Sequence, residues 1–231
     1  MFPYSPLSMG FPAGRRHTLL SALPLYVLVR QPSAGSGPGQ VLCEPVIAGE
    51  AAGSQAMVVY LSPFEASLDA LWRGMPPTAY QVLPASSFSP DELVARHHGY
   101  LPYCLHVAWG ARDGRLAVRA QGEPIRLSSA SLAKASPLID SITLDIALPD
   151  LECYARLWEC AGLFARSETQ ASLLAMSPLE RHRHAARAID RLPGTAPPGR
   201  QINQVAVYDA ESAQWHFISL DLLAGPAAVQ Y

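Results

Sequence analysis

The stretch Ala56-Met57-Val58-Val59-Tyr60-Leu61-Ser62-Pro63-Phe64-Glu65 decides the fold, because a continuous apolar run passes directly into a helix start signal. A short apolar run of this kind is typical of a buried strand. After it, the Ser62 hydroxyl can accept from a backbone N–H of the first helical turn, and Glu65 can reach back to the cap. Pro63 stands where a helix needs no N–H. The stretch therefore predicts a buried strand that leads straight into an α-helix.

The same start signal occurs twice more, as Ser89-Pro90-Asp91-Glu92 and Ser177-Pro178-Leu179-Glu180. Each copy predicts the beginning of a helix. Further helices are expected over 150–166 and 169–176, where apolar residues recur at helical spacing. The sequence thus indicates about four main helices, with the three start signals as their best-defined boundaries.

Strands are predicted around these helices wherever apolar residues alternate or form short runs. In the clearest alternating segment, Tyr103, Leu105, Val107 and Trp109 are expected on one face of a strand. The other expected strands cover 24–30, 41–47, 80–83, 116–119, 141–147, 202–208 and 215–220.

The predicted fold class is α+β, with mixed, largely antiparallel sheets and about four helices packed on one face. A change in pattern between Gln121 and Pro137 suggests two subdomains. The expected organisation is an irregular arm over 1–18, an N-terminal α/β subdomain over 19–125 and a C-terminal α+β subdomain over 135–231.

The composition allows a large core and gives weak electrostatic attraction to polyanions. Apolar residues form 49% of the 231 residues, and charged residues only 16%. A surface poor in charge suggests that a partner covers part of it, although an alanine-rich composition explains the same number. The net charge of −2 predicts no affinity for nucleic acid or for anionic membranes.

The N-terminal segment has two interpretations. Arg15-Arg16 followed by an apolar run over 19–29 resembles a short export signal. Pro24 and Arg30 interrupt that pattern, and the same run fits a first buried strand. No segment reaches the ~18 apolar residues of a membrane span. The expected location is therefore the cytoplasm.

Motifs of catalysis and of cofactor binding are missing from the sequence. It contains no G-x-S-x-G, and Pro63 stands where an oxyanion-binding N–H would follow Ser62 as a nucleophile. The glycine-rich segment Gly35–Gly39 lacks the Lys-Ser/Thr of a phosphate-binding loop, and no C-x-x-C pair is present. We therefore predict no catalytic residue, no cofactor and no metal site.

Two segments are candidates for recognition of a protein partner. Residues 96–103 join a helix to a strand and are rich in Tyr, His and Arg, of which Tyr and Arg are favoured at interfaces. Residues 180–187 are rich in Arg and His and suit an acidic partner or a phosphate. Inward packing of the tyrosines and a merely solvated basic helix face are the alternatives. The predicted partner-binding residues are Arg96, His97, His98, Tyr100, Tyr103, Arg181 and Arg183.

Between residues 25 and 119 the chain resembles the SseB-like family of small α/β proteins. The resemblance is carried by Leu25-Tyr26-Val27-Leu28-Val29, by Val58-Val59-Tyr60-Leu61-Ser62-Pro63-Phe64-Glu65 and by the segment Leu83–Leu93. It implies a strand that runs into a helix, followed by a short strand, a helix and a hairpin. Similar proteins are commonly secretion accessories or interaction modules, so the resemblance favours binding over catalysis.

The sequence therefore predicts a non-enzymatic protein-binding module of bacterial immunity or secretion-accessory type. Such a module would block a partner, for example a toxin or a secreted effector, by occlusion. One alternative is a small-substrate enzyme whose site is assembled from dispersed residues such as His98, His106 and Asp145. Another is a structural subunit of an assembly.

Overall fold

A computed structural model describes residues 16–30, 40–46, 53–73, 80–136, 138–199 and 201–223. The helices are α1 (Pro63–Trp72), α2 (Asp91–Arg96), α3 (Leu148–Cys160), α4 (Arg166–Ala175), α5 (Pro178–Asp190) and α6 (Leu220–Leu223). The strands are β1 (Thr18–Leu20), β2 (Tyr26–Arg30), β3 (Gln40–Val41), β4 (Cys43–Pro45), β5 (Gln55–Tyr60), β6 (Tyr80–Pro84), β7 (Tyr100–Arg112), β8 (Arg115–Ala117), β9 (Arg126–Lys134), β10 (Ser141–Thr143), β11 (Thr195–Ala196), β12 (Gln204–Asp209) and β13 (Gln214–Ser219).

The long strand β7 is the centre of the main sheet. On one side it pairs with β5 in parallel, with Met57 opposite Tyr103, and then with β12 in antiparallel orientation. On its other side it pairs antiparallel with β9 and β8. Strands β2, β3, β4 and β6 extend the sheet beyond β5 in antiparallel pairs. The predicted α+β class with a largely antiparallel mixed sheet is confirmed.

The helices lie on both faces of this sheet, so the expectation that they pack on one face was wrong. The central strands are apolar on both sides: in β5, Met57 and Val59 contact the cluster that contains α2 and α3. Val58 and Tyr60 of the same strand point the other way, towards α1. A strand buried on both faces needs a helical layer on each, and a continuous apolar run is the pattern that such strands show.

A β-bulge in β7 changes which side chains share a face. The register shifts between His106 and Ala108, which leaves Val107 as the extra residue. Before the bulge, Tyr103 faces the α3 side; after it, Trp109 faces the α1 side. The predicted common face for Tyr103 and Trp109 was therefore wrong, because one inserted residue reverses the alternation of a strand.

The strand β9 occupies residues 126–134, which lie between the two predicted subdomains. It pairs with β7 along its whole length, and β12 from the second half of the chain also pairs with β7. The division into subdomains stays a prediction, and the sheet itself continues across it. Of the predicted arm over 1–18, residues 1–15 lie outside the described residues, whereas Thr18 begins β1 and pairs with Ser141 of β10.

A buried network of charged groups fixes the α1 face of the sheet. Arg126 donates to Asp69 of α1, with its Nε 3.0 Å from Asp69 Oδ2, and pairs with Glu44. Arg73 lies 3.3 Å from Glu44, and the Tyr60 hydroxyl donates to Asp69. Burial raises the pKa of Asp69 to about 6 and lowers the pKa of Arg126 to about 9. These groups stabilise each other only as a set, since each would be costly to bury alone.

Candidate functional site

The outer edge of β9 is unpaired within the part of the chain that the structure describes. β9 is nine residues long and pairs with β7 from Tyr100 opposite Lys134 to Trp109 opposite Arg126. No described strand pairs with its second edge. An open strand edge presents a row of backbone donors and acceptors, which is a template for a further strand.

The hydrogen bonds at the two ends of β9 determine which backbone groups face outward. The N–H of Ala135 donates to the Gly99 carbonyl at 2.9 Å, and the Ile125 carbonyl accepts from Gly110 at 2.8 Å, so both residues point towards β7. Along an antiparallel strand, alternate residues direct their N–H and C=O to the same side. The residues that direct these groups to the free edge are therefore Ser128, Ala130, Leu132 and Lys134.

Next to this edge lies a groove of about 630 Å³ between β9 and the segment that contains β10. The Tyr103 side chain lies at its base, and its hydroxyl donates to the Asp145 carbonyl at 2.6 Å. Hydroxyl groups line much of the groove, which suits a polar backbone better than a bulky apolar ligand. The lining residues are Tyr103, Ala130, Ser131, Leu132, Ala133, Lys134, Ser136, Ile139, Ser141, Thr143 and Asp145.

The rim of the groove combines apolar contact with two opposite charges. Leu132 and Ile139 are 36% and 57% exposed, so each offers apolar area to a partner. Lys134 and the Asp145 carboxylate are both exposed. Tyr103 pairs with Ser131 of β9, and its hydroxyl donates to the Asp145 carbonyl, so Asp145 lies on the side of the groove that faces β9. The groove can therefore fix the direction of an extended chain by charge as well as by backbone pairing.

The predicted recognition segment 96–103 divides between surface and core. Tyr103 is only 3% exposed, in agreement with the alternative that this tyrosine packs inward. Tyr100 is 40% exposed and lies opposite Lys134, at the end of the β9 edge. Arg96 and His98 are exposed, and His97 is half-buried. Of this segment, Tyr100 is thus the aromatic side chain able to contact a partner on β9.

The turn between α2 and β7 contains a left-handed glycine. The N–H of Gly99 donates to the Val94 carbonyl at 2.9 Å, and Gly99 has φ = 92°, the conformation that commonly follows a helix. His98 also has a positive φ of 54°, which is uncommon for a residue with a side chain. The turn places the His98 side chain in solvent and starts β7 immediately afterwards.

The basic residues Arg181 and Arg183 lie on α5, on the other side of the sheet from α2. Arg181 is half-buried and donates to the Met176 carbonyl at 2.6 Å, beside a groove of about 350 Å³ between α1, α5 and β6. Arg183 is exposed. The seven predicted residues therefore do not form one surface.

The residues of the enzyme alternative are not brought together. His106 is buried between Tyr60 and Trp109, with ring centroids 5.3 and 4.6 Å away, and burial lowers its pKa to about 3. Asp145 lies on the opposite face, near Tyr103. His98 is in the exposed turn. Among the described residues, no group of three His, Cys, Asp or Glu side chains is placed to hold a metal ion.

The sequence did not predict the edge residues 128–134 of β9. Arg126-Leu127-Ser128-Ser129-Ala130-Ser131-Leu132-Ala133-Lys134 is dominated by small residues and has only weak alternation. The available signal was Leu127, Ser129, Ser131 and Ala133 at every second position, and from Leu127 onward these are the less exposed residues of the strand.

Comparisons with protein-family models, with curated proteins and with solved structures each find no match for this chain. The resemblance to the SseB-like family therefore stays a prediction. None of the helices within the described ranges has the length and apolar character needed to cross a membrane.

Proposed function

We propose that the protein is a non-enzymatic protein-binding module that takes up an extended segment of a partner protein along the free edge of β9. The observation that carries the proposal is the row of outward backbone groups from Ser128 to Lys134 beside the hydroxyl-lined groove. Strand addition of this kind obtains affinity from backbone hydrogen bonds and specificity from side-chain contacts.

The partner segment is defined by the chemistry of the groove. Small or hydroxylated side chains fit between Ser131 and Thr143, and an apolar residue fits against Leu132 and Ile139. An acidic residue near Lys134 and a basic residue near Asp145 would fix the register. Tyr100, at the end of the edge, would cover the partner chain as an aromatic anchor.

An immunity-type or secretion-accessory role is the finer proposal within this class. A toxin or effector segment that is bound along β9 cannot make its own functional contacts, so strand addition gives occlusion directly. The cytoplasm is the proposed site of this binding. A role as a structural subunit would use the same edge but would require a fixed stoichiometry with a larger assembly.

Amide hydrogen exchange tests the proposal on the full-length protein. In the free protein, we expect fast exchange at the outward amides of Ala130 and Leu132 and slow exchange at Ser129 and Ser131, which point towards β7. A partner isolated from the native cell should protect Ala130 and Leu132 selectively. If these two amides are already protected in the free protein, the edge is covered by the chain itself or by a second copy, and the proposal is wrong.

A matched pair of variants at one position sharpens the test. Ala130→Pro removes one outward N–H and leaves the β7 side intact, whereas Ala130→Val adds bulk but keeps the N–H. We expect the Pro variant to weaken partner binding about tenfold, the equivalent of one lost hydrogen bond of about 1.4 kcal/mol. The Val variant should bind within a fewfold of the wild type. Equal affinity of all three proteins would contradict strand addition.

A further inference from the structure

A small cavity lies between α1, α3, α4 and β12, and none of its lining residues belongs to the β9 groove. Its wall contains the carboxyl group of Glu65 and two aromatic pairs. The rings of Phe64 and Tyr208 stack with centroids 5.8 Å apart, and those of Tyr154 and Trp158 lie 6.2 Å apart. We call this space the Glu65 cavity.

The carboxyl group of Glu65 is only half satisfied. The residue is 6% exposed, and its Oε1 accepts from the Tyr154 hydroxyl at 2.9 Å. Its Oε2 is buried and has no hydrogen-bond partner among the described residues. No ion pair among the described residues includes Glu65, and burial raises its pKa to about 8. In the ionised carboxylate, a buried oxygen without a partner costs free energy, so a donor at this position would stabilise the ionised form.

The guanidinium of Arg166 already contacts an aromatic ring in the wall of this cavity. The guanidinium carbon of Arg166 lies 5.5 Å from the centroid of the Tyr154 ring, which is within the range of a cation–π contact. Arg166 is the first residue of α4, and Leu173 is the only buried side chain in that helix. With Arg166 in place, the free volume is about 10 Å³, enough for one water molecule. Outward movement of the Arg166 side chain would enlarge the space and disturb little of the core.

We propose that the Glu65 cavity binds an alkylammonium ion that carries at least one N–H, in place of the Arg166 guanidinium. The N–H would donate to Oε2 of Glu65, and the alkyl groups would face the rings of Tyr154 and Trp158. A quaternary ammonium has no N–H and would leave Oε2 without a donor. A free amine and a lysyl side chain share this chemistry.

Calorimetric titration of the full-length protein with dimethylammonium chloride tests the site. The experiment is done at pH 8.5, above the raised pKa of Glu65, with sodium chloride at equal ionic strength as the reference. We expect saturable binding, and at least tenfold weaker binding of tetramethylammonium. Titration with the amide of N-acetyl-dimethyllysine identifies the source: tighter binding than the free ion indicates a lysyl side chain, and weaker binding indicates a free amine. Absence of saturable binding, or equal binding of tetramethylammonium, would overturn the proposal.

Two variants with opposite expected effects separate binding from folding. Glu65→Gln should weaken the binding of dimethylammonium at least tenfold, since the amide carries no charge. Arg166→Ala should strengthen it several-fold, because the competing guanidinium is removed from Tyr154. Arg115→Ala, at an exposed position of β8, is the control and should bind as the wild type. If Arg166→Ala has no effect on affinity, or if Glu65→Gln binds normally, the cavity holds at most a water molecule and the proposal is wrong.

Discussion

Helices α1 and α5 begin with the same Ser-Pro-x-Glu signal and pack against each other, but their surroundings differ. In α5, the buried residues are two alanines, Ala185 and Ala188, and the rest of the helix is at least partly exposed. In α1, the buried residues include two acids, Glu65 and Asp69. One local pattern therefore starts both a surface helix and a core helix.

The difference in burial decides what the glutamate of the signal does. At α5 the box is complete: the Glu180 N–H donates to Ser177 Oγ at 3.3 Å, and the Ser177 N–H donates to Glu180 Oε2 at 2.8 Å. At α1, Ser62 Oγ accepts from the Phe64 N–H at 3.2 Å, but Glu65 turns into the core and accepts from Tyr154. At α1 the glutamate of the signal therefore bonds a side chain 89 positions away rather than the start of its own helix.

Removal of the buried charge network should give the largest contrast between the two helices. In the variant Arg126→Met, Asp69 and Glu44 lose their most buried cation, and a buried acid without a partner is costly. We expect a loss of about 3–5 kcal/mol in the free energy of unfolding, measured by chemical denaturation. Arg183→Met on α5 is the control and should stay within about 0.5 kcal/mol of the wild type. A loss below about 1 kcal/mol for Arg126→Met would mean that α1 does not depend on its buried charges.

The two glutamates should give opposite pH dependences of stability. Burial raises the pKa of Glu65 from 4.5 to about 8, so the folded state binds a proton that the unfolded state has lost. Its contribution to stability is complete below pH 4.5 and is lost as the pH rises towards 8. A hydrogen bond from Ser177 lowers the pKa of the exposed Glu180, so its contribution is present above pH 4.5 and is lost as the pH falls.

Between pH 7 and pH 8, we expect the change in the free energy of unfolding to come mainly from Glu65. Asp69, with a pKa raised to about 6, and His106, with a pKa lowered to about 3, both act mainly below this range. We expect the free energy of unfolding to fall by about 1 kcal/mol between pH 7 and 8 in the wild type. Glu65→Gln should remove this slope, and Glu180→Gln should keep it. A slope that persists in Glu65→Gln would show that another group titrates.

The local signals predicted where helices start better than they predicted the bonds at those starts. All three Ser-Pro-x-Glu copies precede a helix in the structure. The copy at Ser89 departs furthest from the expected capping bonds. The Ser89 hydroxyl bonds the Asp91 side chain, and α2 begins after Pro90 without a side-chain cap. Asp91 also pairs with His17, a contact between residues 74 positions apart that a four-residue window cannot contain.

The candidate site was hard to predict for the same reason, since it also depends on contacts between residues far apart in the sequence. The hairpin of β12 and β13 and the strand β5 could be predicted from apolar patterns within each segment. The edge of β9 could not, because its position depends on the pairing of Ser131 with Tyr103 and on the bulge at Val107. A strand of small residues is stabilised by its neighbour in the sheet rather than by its own sequence, so its role becomes visible only with the tertiary structure.

A pair of double-mutant cycles measures the smallest expected difference, the coupling between cap and glutamate. Ser177→Ala alone should cost about 1 kcal/mol. Combined with Glu180→Gln, it should cost less than the sum of the two single changes, because the two side chains bond each other and the first change already removes that bond. For Ser62→Ala with Glu65→Gln, we expect additivity within about 0.5 kcal/mol, because Glu65 bonds Tyr154 rather than the cap. Non-additivity at Ser62 and Glu65 beyond this margin would mean that the buried glutamate still serves the helix start, and the contrast between α1 and α5 would then be one of degree.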